Sequence, residues 1–320
     1  MITLCALASS TERLVLPKMT RHEVNNPSVL ALGSKLYAVY KGVNYNLKVN
    51  GWSKMDYGGF RVPFSDSQNY FAQVDLGDAL ALDGVVLLED RHIRGHRSAL
   101  NGLQDIRIFH WRNEIYALAA AITHRSSGQA GSPPIKLTSM MLCNIKGHTL
   151  NPICLLPSRQ QYEKNWMPWV KQNELYFVYR SAPYEVLRFN GREIVSSVKP
   201  VTHPGLQSYS GSSAVMPLGL NFIGIVHLKQ QGHVLDSRQG LPLMRYHHRA
   251  VVYGPDFEVL AVSPPFNFEG ERVEFCCGMA FAGDNVVLSY GVWDTQAVLT
   301  RMKLKEFLTI LSLESFEPSS

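Results

Sequence analysis

Short apolar runs separated by tight polar turns occur along the chain, and one combination of the two recurs five times. In the clearest copy, GLQDIRIFHWRNEIYALAAAIT at residues 102–123, an apolar run opens on a polar residue, and a polar turn leads into a second apolar run. Runs of β-branched and aromatic residues around a turn with Gly or Asn are typical of antiparallel hairpins. The turn and second strand return as GSKLYAVYKG, QNELYFVYRS, GLNFIGIVHL and GDNVVLSYGV. Such repetition predicts a repeat architecture.

The repeat predicts an all-β fold, a single five-bladed β-propeller, because radial blades leave only short strand edges exposed. One domain is expected over residues 1–320, with modules near 24–60, 84–150, 160–195, 208–262 and 272–303. The first 22 residues can supply an outer strand that closes the ring. Three leucines and Phe307 in the segment 304–311 have the spacing of one helical face, which predicts a short C-terminal helix.

Alignment of the five copies places two rows of residues at one end of the predicted propeller. The first row starts each first strand, and the second row ends each second strand: Asn26, Asp105, Asn165, Ser212 and Cys276, then Lys41, Ala120, Arg180, His227 and Gly291. In an antiparallel hairpin the start of one strand lies beside the end of the next. Asp105 is the single carboxylate of the two rows, so it is the predicted catalytic acid or base. A structural role as a turn cap or as a partner of Arg107 is the alternative.

Composition and charge argue against several functional classes. A net charge of +5 without long Lys/Arg blocks gives little support for a nucleic-acid partner, and no stretch approaches the ~20 apolar residues of a membrane span. Five scattered cysteines argue against a secreted disulfide framework, and the start lacks a basic region typical of secretion signals, so a cytoplasmic location is expected. No P-loop, GxSxG motif or zinc spacing occurs, so we expect neither a cofactor nor a metal.

Basic residues surround the predicted carboxylate, and phosphate is a natural counter-charge because Arg and Lys bind its oxygens. The predicted phosphate or donor ligands are Lys164, Arg180, His227, Tyr246 and Arg249. The predicted substrate ligands are Asn26, Asn44, Tyr45, Arg107, Asn165, Trp166 and Asp294. Scattered surface charge and core packing of the aromatic residues are the alternative interpretations. The loop 123–134 has the composition of a flexible lid.

The motifs NPSV, KGVNY, LQDIRIF, KNWMPW, GSSAVMP, YHHRAVVY, EFCCGMAF and LSYGVWDT resemble, in this order, the blade motifs of glycoside hydrolase family 130. That family of five-bladed propellers contains inverting β-mannoside phosphorylases and hydrolases and is similar to a family of β-1,2-mannosyltransferases. The resemblance covers roughly Asn25 to Met302 and implies that Asp105 is the sole catalytic carboxylate. It also implies sugar binding by Asp294. Ile106 stands where the family has Pro.

The sequence therefore predicts a carbohydrate-active enzyme that transfers a β-linked, mannose-like hexose with inversion. Its partners would be a sugar phosphate or nucleotide-sugar donor and a glycan acceptor, or phosphate would act as the nucleophile. An inverting hydrolase is less favoured because it needs two carboxylates and the rows supply only Asp105. The alternatives are that hydrolase and a non-catalytic propeller that binds a glycan or a protein.

Overall fold

The computed structural model describes most of the chain, namely residues 1–45, 55–57, 60–62, 66–94, 101–125, 135–201, 203–236 and 241–318. The fold is all-β and propeller-like, as the alternating runs predict. No helix among these residues is long and apolar enough to cross a membrane.

Four antiparallel sheets of four strands form regular blades, and the first strand of each hairpin lies at one edge. The first blade contains Glu23–Leu32, Lys35–Val43, Ser67–Asp75 and Ala81–Leu87. The second contains Leu103–Trp111, Glu114–Arg125, Ile135–Lys146 and Thr149–Leu155. The third contains Met167–Lys171, Glu174–Ser181, Tyr184–Phe189 and Ile194–Val201. The last contains Glu274–Ala282, Asn285–Val292, Gln296–Lys303 and Glu12–Leu16.

The segment predicted as the fourth of five equivalent blades forms a larger, seven-stranded sheet. Its strands are Ser210–Gly211, Met216–Leu218, Asn221–Asp236, Leu241–Tyr253, Val259–Val262, Phe266–Asn267 and Ile2–Thr3. The count of five regular blades is therefore wrong, since the described residues form four. One cause is that the amides of Ser212 and Ser213 both bond to the carbonyl of Ile225, which splits the first strand. Another is the parallel pairing of Ile2–Thr3 with Phe266–Asn267.

The boundaries of the first two modules also differ from the prediction. Ala81–Leu87 pairs with Ser67–Asp75, so the first blade extends to Leu87 and the second begins at Leu103. Met55–Tyr57 and Phe60–Val62 form a separate two-stranded sheet. The strands within residues 67–83, which lie between the two predicted modules, and residues 84–87, which the prediction gave to the second module, therefore belong to the first blade.

The outer strand predicted from the N-terminal residues and the predicted C-terminal helix are both present. Glu12–Leu16 pairs with Gln296–Lys303 and completes the last blade, which joins the N-terminal part of the chain to the C-terminal part. The predicted C-terminal helix is present at Leu304–Ile310. Two helices of one turn and two 3₁₀ turns complete the secondary structure of the described residues: Leu4–Leu7, Arg91–Arg94, Pro204–Leu206 and Glu314–Phe316.

Apolar side chains pack between neighbouring sheets and fix their relative positions. The Trp169 ring of the third blade lies 4.9 Å from that of Phe222 and 5.3 Å from that of Tyr253, both in the seven-stranded sheet. Tyr40 of the first blade packs in one cluster with Val287 of the last. Burial of a large apolar side chain contributes about 1.5–3 kcal/mol to the free energy of folding. These contacts therefore fix the positions of the strand ends that surround the site.

Candidate active site

Three residues of the predicted first row have the left-handed backbone conformation: Asn26 within Glu23–Leu32, Asp105 within Leu103–Trp111, and Asn165 two residues before Met167–Lys171. Asn26, Asp105 and Asn165 have φ angles of 47°, 52° and 64°. The pairing of the first and second blades shifts at Asn26 and at Asp105, which is the mark of a β-bulge. A bulge redirects a side chain, and Asn and Asp tolerate this conformation better than most residues. All three side chains line one cavity.

The cavity has a volume of about 580 Å³. Residues from the first, second and last blades, from the seven-stranded sheet and from the segment before the third blade line it together. Its polar and charged lining consists of Asn26, Lys41, Tyr45, Gln104, Asp105, Thr138, Tyr162, Lys164, Asn165, His227, Lys229, Tyr246 and Asp294. This mixture of amides, carboxylates, ammonium groups and hydroxyls is suited to a polar ligand that carries negative charge.

Asp105 is ion-paired and mostly buried. Its Oδ1 accepts hydrogen bonds from Lys41 Nζ and from Asn26 Nδ2, each at 2.8 Å. Burial raises the pKa of Asp105, but Lys41, Lys164 and the Asn26 bond outweigh burial, so the pKa lies below its usual value. For Lys41, burial lowers the pKa. The carboxylates of Asp105 and Asp294 outweigh burial, so the pKa of Lys41 lies above its ordinary value. The pair is therefore charged at neutral pH.

Arg107 lies behind the cavity lining and binds protein groups. It is fully buried, and its guanidinium donates to the main-chain oxygens of Asp105 and Ser212 and, at 3.1 Å, to Asn165 Oδ1. These bonds connect three positions of the first row. Arg107, predicted as a direct substrate ligand, does not line the cavity, and these donors bind the protein instead.

Two lysines line the cavity, Lys164 from the segment before the third blade and Lys229 from the seven-stranded sheet, and we call them the lysine pair. Partial burial lowers the pKa of Lys229, Asp294 opposes this effect, and the positive charge of Lys164 lowers the pKa further. The two ammonium groups repel each other across the cavity, and the carboxylates of Asp105 and Asp294 offset part of this repulsion. An anion bound there would relieve the repulsion.

Asp294 is a second carboxylate in the cavity. Its Oδ2 accepts a hydrogen bond from the Tyr45 hydroxyl at 3.0 Å. Burial raises the pKa of Tyr45, and Asp294 raises it further, so the hydroxyl keeps its proton and remains a donor. Asp294 belongs to neither aligned row. It lies three residues after Gly291, the last residue of the second row, in a turn where the φ of Asp294 is 54°.

His227, Tyr246 and Phe275 form an aromatic wall of the cavity. The rings of His227 and Phe275 lie 4.8 Å apart and nearly perpendicular, and that of Tyr246 lies 5.9 Å from each. His227 Nδ1 lies 2.9 Å from Ser212 Oγ. Burial, with the nearby Arg107 charge, lowers the pKa of His227 to about 3. The ring is therefore neutral at neutral pH, and His227, predicted as a phosphate ligand, contributes no positive charge there.

Asn44 and Trp166, predicted as substrate ligands, do not line the cavity. Asn44 Oδ1 accepts the main-chain N–H of Asp66 at 2.9 Å and so fixes the chain after the first blade. Trp166 is 1% exposed, and its Nε1 donates to Glu163 Oε2 at 3.1 Å. Both residues have structural roles here, because their polar atoms bind the protein.

Arg180 and Arg249, predicted as phosphate ligands, also lie outside the cavity lining. The Arg180 guanidinium lies 4.7 Å from the Tyr179 ring centroid, and a register shift between Val178 and Arg180 breaks its equivalence to Lys41. The Arg249 guanidinium donates to Tyr209 Oη at 3.1 Å and to the Ser263 carbonyl oxygen at 2.7 Å. Local partners thus hold both side chains.

Sequence reasoning missed Lys229 and Phe275. Lys229 follows His227 by two residues in one strand, and side chains at this spacing point to the same face. That alternation would have identified it. Residues 126–134 of the predicted lid lie outside the described residues. In the part of the chain that is described, no group of three or more His, Cys, Asp or Glu side chains could hold a metal ion.

No protein-family model and no curated protein matches the chain. Solved structures do share its fold. β-1,2-Mannobiose phosphorylase from Listeria innocua is 14% identical, with 95% of this chain and 100% of that chain covered and a TM-score of 0.65. MPT-4, a mannose phosphorylase from Leishmania mexicana in complex with a phosphate ion, is 12% identical over 95% and 90% of the chains, with a TM-score of 0.57. MPT-1, a GDP-Man-dependent mannosyltransferase from Leishmania mexicana, is 13% identical over 92% and 90%, with a TM-score of 0.56. The fold is thus like that of glycoside hydrolase family 130, and the resemblance seen in the motifs is confirmed at the level of fold.

Proposed function

We propose that the protein transfers a β-linked, mannose-like hexose with inversion between a phosphate-bearing partner and a glycan, as a glycosyltransferase or a glycoside phosphorylase. The observation that carries the proposal is the charged pair of Asp105 and Lys41 in a cavity that also contains the lysine pair. The fold neighbours support it, since their names include a β-1,2-mannobiose phosphorylase, a mannose phosphorylase bound to phosphate and a GDP-Man-dependent mannosyltransferase.

Asp105 is assigned the role of general base in the synthetic direction. Its lowered pKa keeps it ionised near neutral pH, and both of its hydrogen bonds reach Oδ1, so among the described residues Oδ2 accepts none. Oδ2 would accept the proton of an acceptor hydroxyl while that oxygen forms a bond to the anomeric carbon. The bond from this carbon to the phosphate oxygen breaks on the opposite face, which inverts the configuration.

The lysine pair is assigned to the phosphate group. The departing phosphate carries the electron pair of the broken bond as negative charge, and two ammonium groups stabilise that charge without a proton transfer. No protein acid is then needed for the leaving group in the synthetic direction. In the reverse reaction phosphate attacks the anomeric carbon, and the proton returns from Asp105 to the glycan oxygen.

The hexose is placed between the carboxylate of Asp294 and the aromatic wall. Asp294, held by Tyr45, can accept hydrogen bonds from sugar hydroxyls. The aromatic wall offers a ring face and edges for the apolar C–H surface of a sugar. Asn26 and Asn165 add amide groups near Asp105.

An inverting glycoside hydrolase is the second candidate, and the observation in its favour is Asp294. An inverting hydrolase uses one carboxyl group as acid and another as base on opposite sides of the scissile bond. Asp105 and Asp294 line one cavity, so the count of carboxylates alone does not reject hydrolysis. The lysine pair has no role in that mechanism, which is why transfer to or from phosphate is preferred.

The five cysteines support the cytoplasmic location that we propose. All five are free thiols, and two of them, Cys276 and Cys277, are adjacent and fully buried. Structural disulfides persist mainly in oxidising compartments.

The test is a reaction with defined donors. The protein would be incubated with mannose 1-phosphate or GDP-mannose together with mannose or β-1,2-mannobiose, and the products followed by NMR. We expect a longer β-mannoside and release of phosphate or GDP. Cleavage of β-1,2-mannobiose by water without phosphate would favour the hydrolase, and no reaction with any of these pairs would contradict the proposal.

A further inference from the structure

Two buried glutamates occupy the same position of the repeat, and the mechanism above uses neither. Glu163 lies two residues before Asn165, and Glu274 lies two residues before Cys276. Their exposed fractions are 2% and 0%. A buried carboxylate is unfavourable unless its oxygens accept hydrogen bonds, so the partners of each glutamate show what it holds in place.

Glu274 is surrounded by main-chain donors from the segment just before it. Its Oε2 accepts the N–H of Phe268 at 2.7 Å, and its Oε1 accepts those of Glu269 at 2.8 Å and Glu271 at 3.0 Å. Three N–H groups converge on one side chain, so the path of residues 268–274 depends on it. The residue that follows, Phe275, belongs to the aromatic wall.

The segment held by Glu274 also contacts the turn that carries Asp294. The main-chain N–H of Trp293 donates to the Val273 oxygen at 2.9 Å, and Trp293 Nε1 donates to Glu271 Oε2 at 2.7 Å. Val273 itself lines the cavity. A shift of this segment would therefore move both the neighbour of Asp294 and the cavity surface beside it.

Glu163 makes the equivalent contacts on the side of the lysine pair. Its Oε1 accepts the main-chain N–H groups of Arg159 at 2.6 Å and Gln160 at 2.9 Å, and its Oε2 accepts Trp166 Nε1. The next residue is Lys164, which lines the cavity. The two glutamates thus fix the chain at two different parts of the cavity.

We propose that Glu274 is a positioning residue for the hexose, because it holds Phe275 and the Trp293–Asp294 turn, and that Glu163 correspondingly positions Lys164 for phosphate. This assignment rests on the proposed function. Neither glutamate touches the reacting atoms. Loss of Glu274 should therefore weaken hexose binding, and loss of Glu163 should weaken phosphate binding. A general loss of stability would weaken the binding of both ligands alike.

The test compares Glu274→Gln with the matched variant Glu163→Gln. In each, the amide keeps the shape of the side chain but turns an N–H₂ group toward a donor, which removes at least one hydrogen bond. We expect Glu274→Gln to weaken mannose binding about tenfold and to change inorganic phosphate binding less than twofold. Glu163→Gln should give the reverse, with calorimetric titration of both probes as the measurement. Equal losses for both probes in either variant, or no loss, would overturn the assignment.

Hydrogen exchange separates this assignment from the proposed function. In Glu274→Gln the amides of 268–271 and 292–295 should exchange faster, while those of 159–163 stay unchanged. If the unmodified protein binds neither mannose nor phosphate, the proposed function is wrong. The hydrogen-exchange result then still tests whether Glu274 positions the Trp293–Asp294 turn. Unchanged exchange at 292–295 would overturn that role whatever the protein binds.

Discussion

The ammonium group of Lys41 lies 2.8 Å from Oδ1 of Asp105, and this contact joins the second strand of the first blade to the first strand of the second. It links a residue that ends a second strand to a residue that starts a first strand in the next blade. The proposed catalytic carboxylate and its counter-charge thus come from neighbouring blades. The charge state of Asp105 consequently depends on how the two blades pack.

Removal of Lys41 should move the acid limb of activity to higher pH. Burial alone raises the pKa of Asp105, and Lys41 is the largest opposing influence. A general base works above its pKa, so Lys41→Met should lose rate first at low pH and about 10–100-fold at neutral pH. The measurement is kcat/KM against pH. Lys35→Met, which removes a half-exposed lysine paired with Asp75 and Asp83, is the control and should leave the profile unchanged. An unmoved acid limb in Lys41→Met would contradict the role of the pair.

The lysine pair should determine phosphate affinity. Lys164→Met and Lys229→Met should each weaken binding of inorganic phosphate or of the phosphorylated donor about tenfold, and added salt should reduce the difference. Titration calorimetry at two salt concentrations measures both effects.

The controls for the lysine pair are Arg180→Ala and Arg249→Ala. Neither arginine lines the cavity, so both variants should keep phosphate affinity within about twofold. A larger loss in either arginine variant than in Lys229→Met would mean that the phosphate lies elsewhere.

The Tyr45 hydroxyl should contribute to hexose binding through Asp294. Tyr45→Phe deletes the 3.0 Å bond and leaves Asp294 free to turn, so KM for the hexose acceptor should rise about 3–10-fold with little change in donor KM. Tyr37→Phe is the control, since the Tyr37 ring stacks on Phe71 and does not line the cavity. An increase confined to donor KM would place the hexose on another side of the cavity.

His227 should make stability fall as the solution is acidified. Its pKa is lowered to about 3 in the folded protein, whereas an unfolded His titrates near 6.5. Between these values the unfolded chain binds more protons, so the free energy of unfolding decreases as pH falls through about 6.5 and levels off near 3. Thermal midpoints at pH 7 and 5 should therefore differ less in His227→Gln than in the unmodified protein. If the thermal midpoints at pH 7 and pH 5 differ equally in the two proteins, the pKa of His227 is not lowered by folding.

Much of the fold follows from local sequence patterns. Alternation and turn residues predict the hairpins because side chains of a strand alternate between two faces. Helical spacing predicts the C-terminal helix, and the outer strand expected from the first 22 residues is Glu12–Leu16. The seven-stranded sheet is not predictable in this way. Its strands Ile2–Thr3 and Phe266–Asn267 come from opposite ends of the chain, and no local pattern encodes their pairing.

The repeat alignment identifies residues of the candidate site where the repeat is regular, and it misplaces residues where the repeat is irregular. Asn26, Asp105 and Asn165 come together because they occupy equivalent positions of the repeat, and all three have a positive φ. Arg180 does not line the cavity, and a register shift between Val178 and Arg180 breaks its equivalence to Lys41. Trp166 fails because its indole packs in the core, a role that sequence does not distinguish from sugar stacking.

The most direct test of the account is the activity of Asp105→Asn with mannose 1-phosphate or GDP-mannose and a mannose acceptor. Asn keeps the shape of the side chain but cannot accept the proton, so the rate should fall by about 10²–10⁴-fold. Because Lys41 loses its counter-charge, the thermal midpoint should be measured first and the assay run well below it. Folded Asp105→Asn with the predicted loss of rate would support the account. Folded Asp105→Asn that transfers mannose at the rate of the unmodified protein would contradict it.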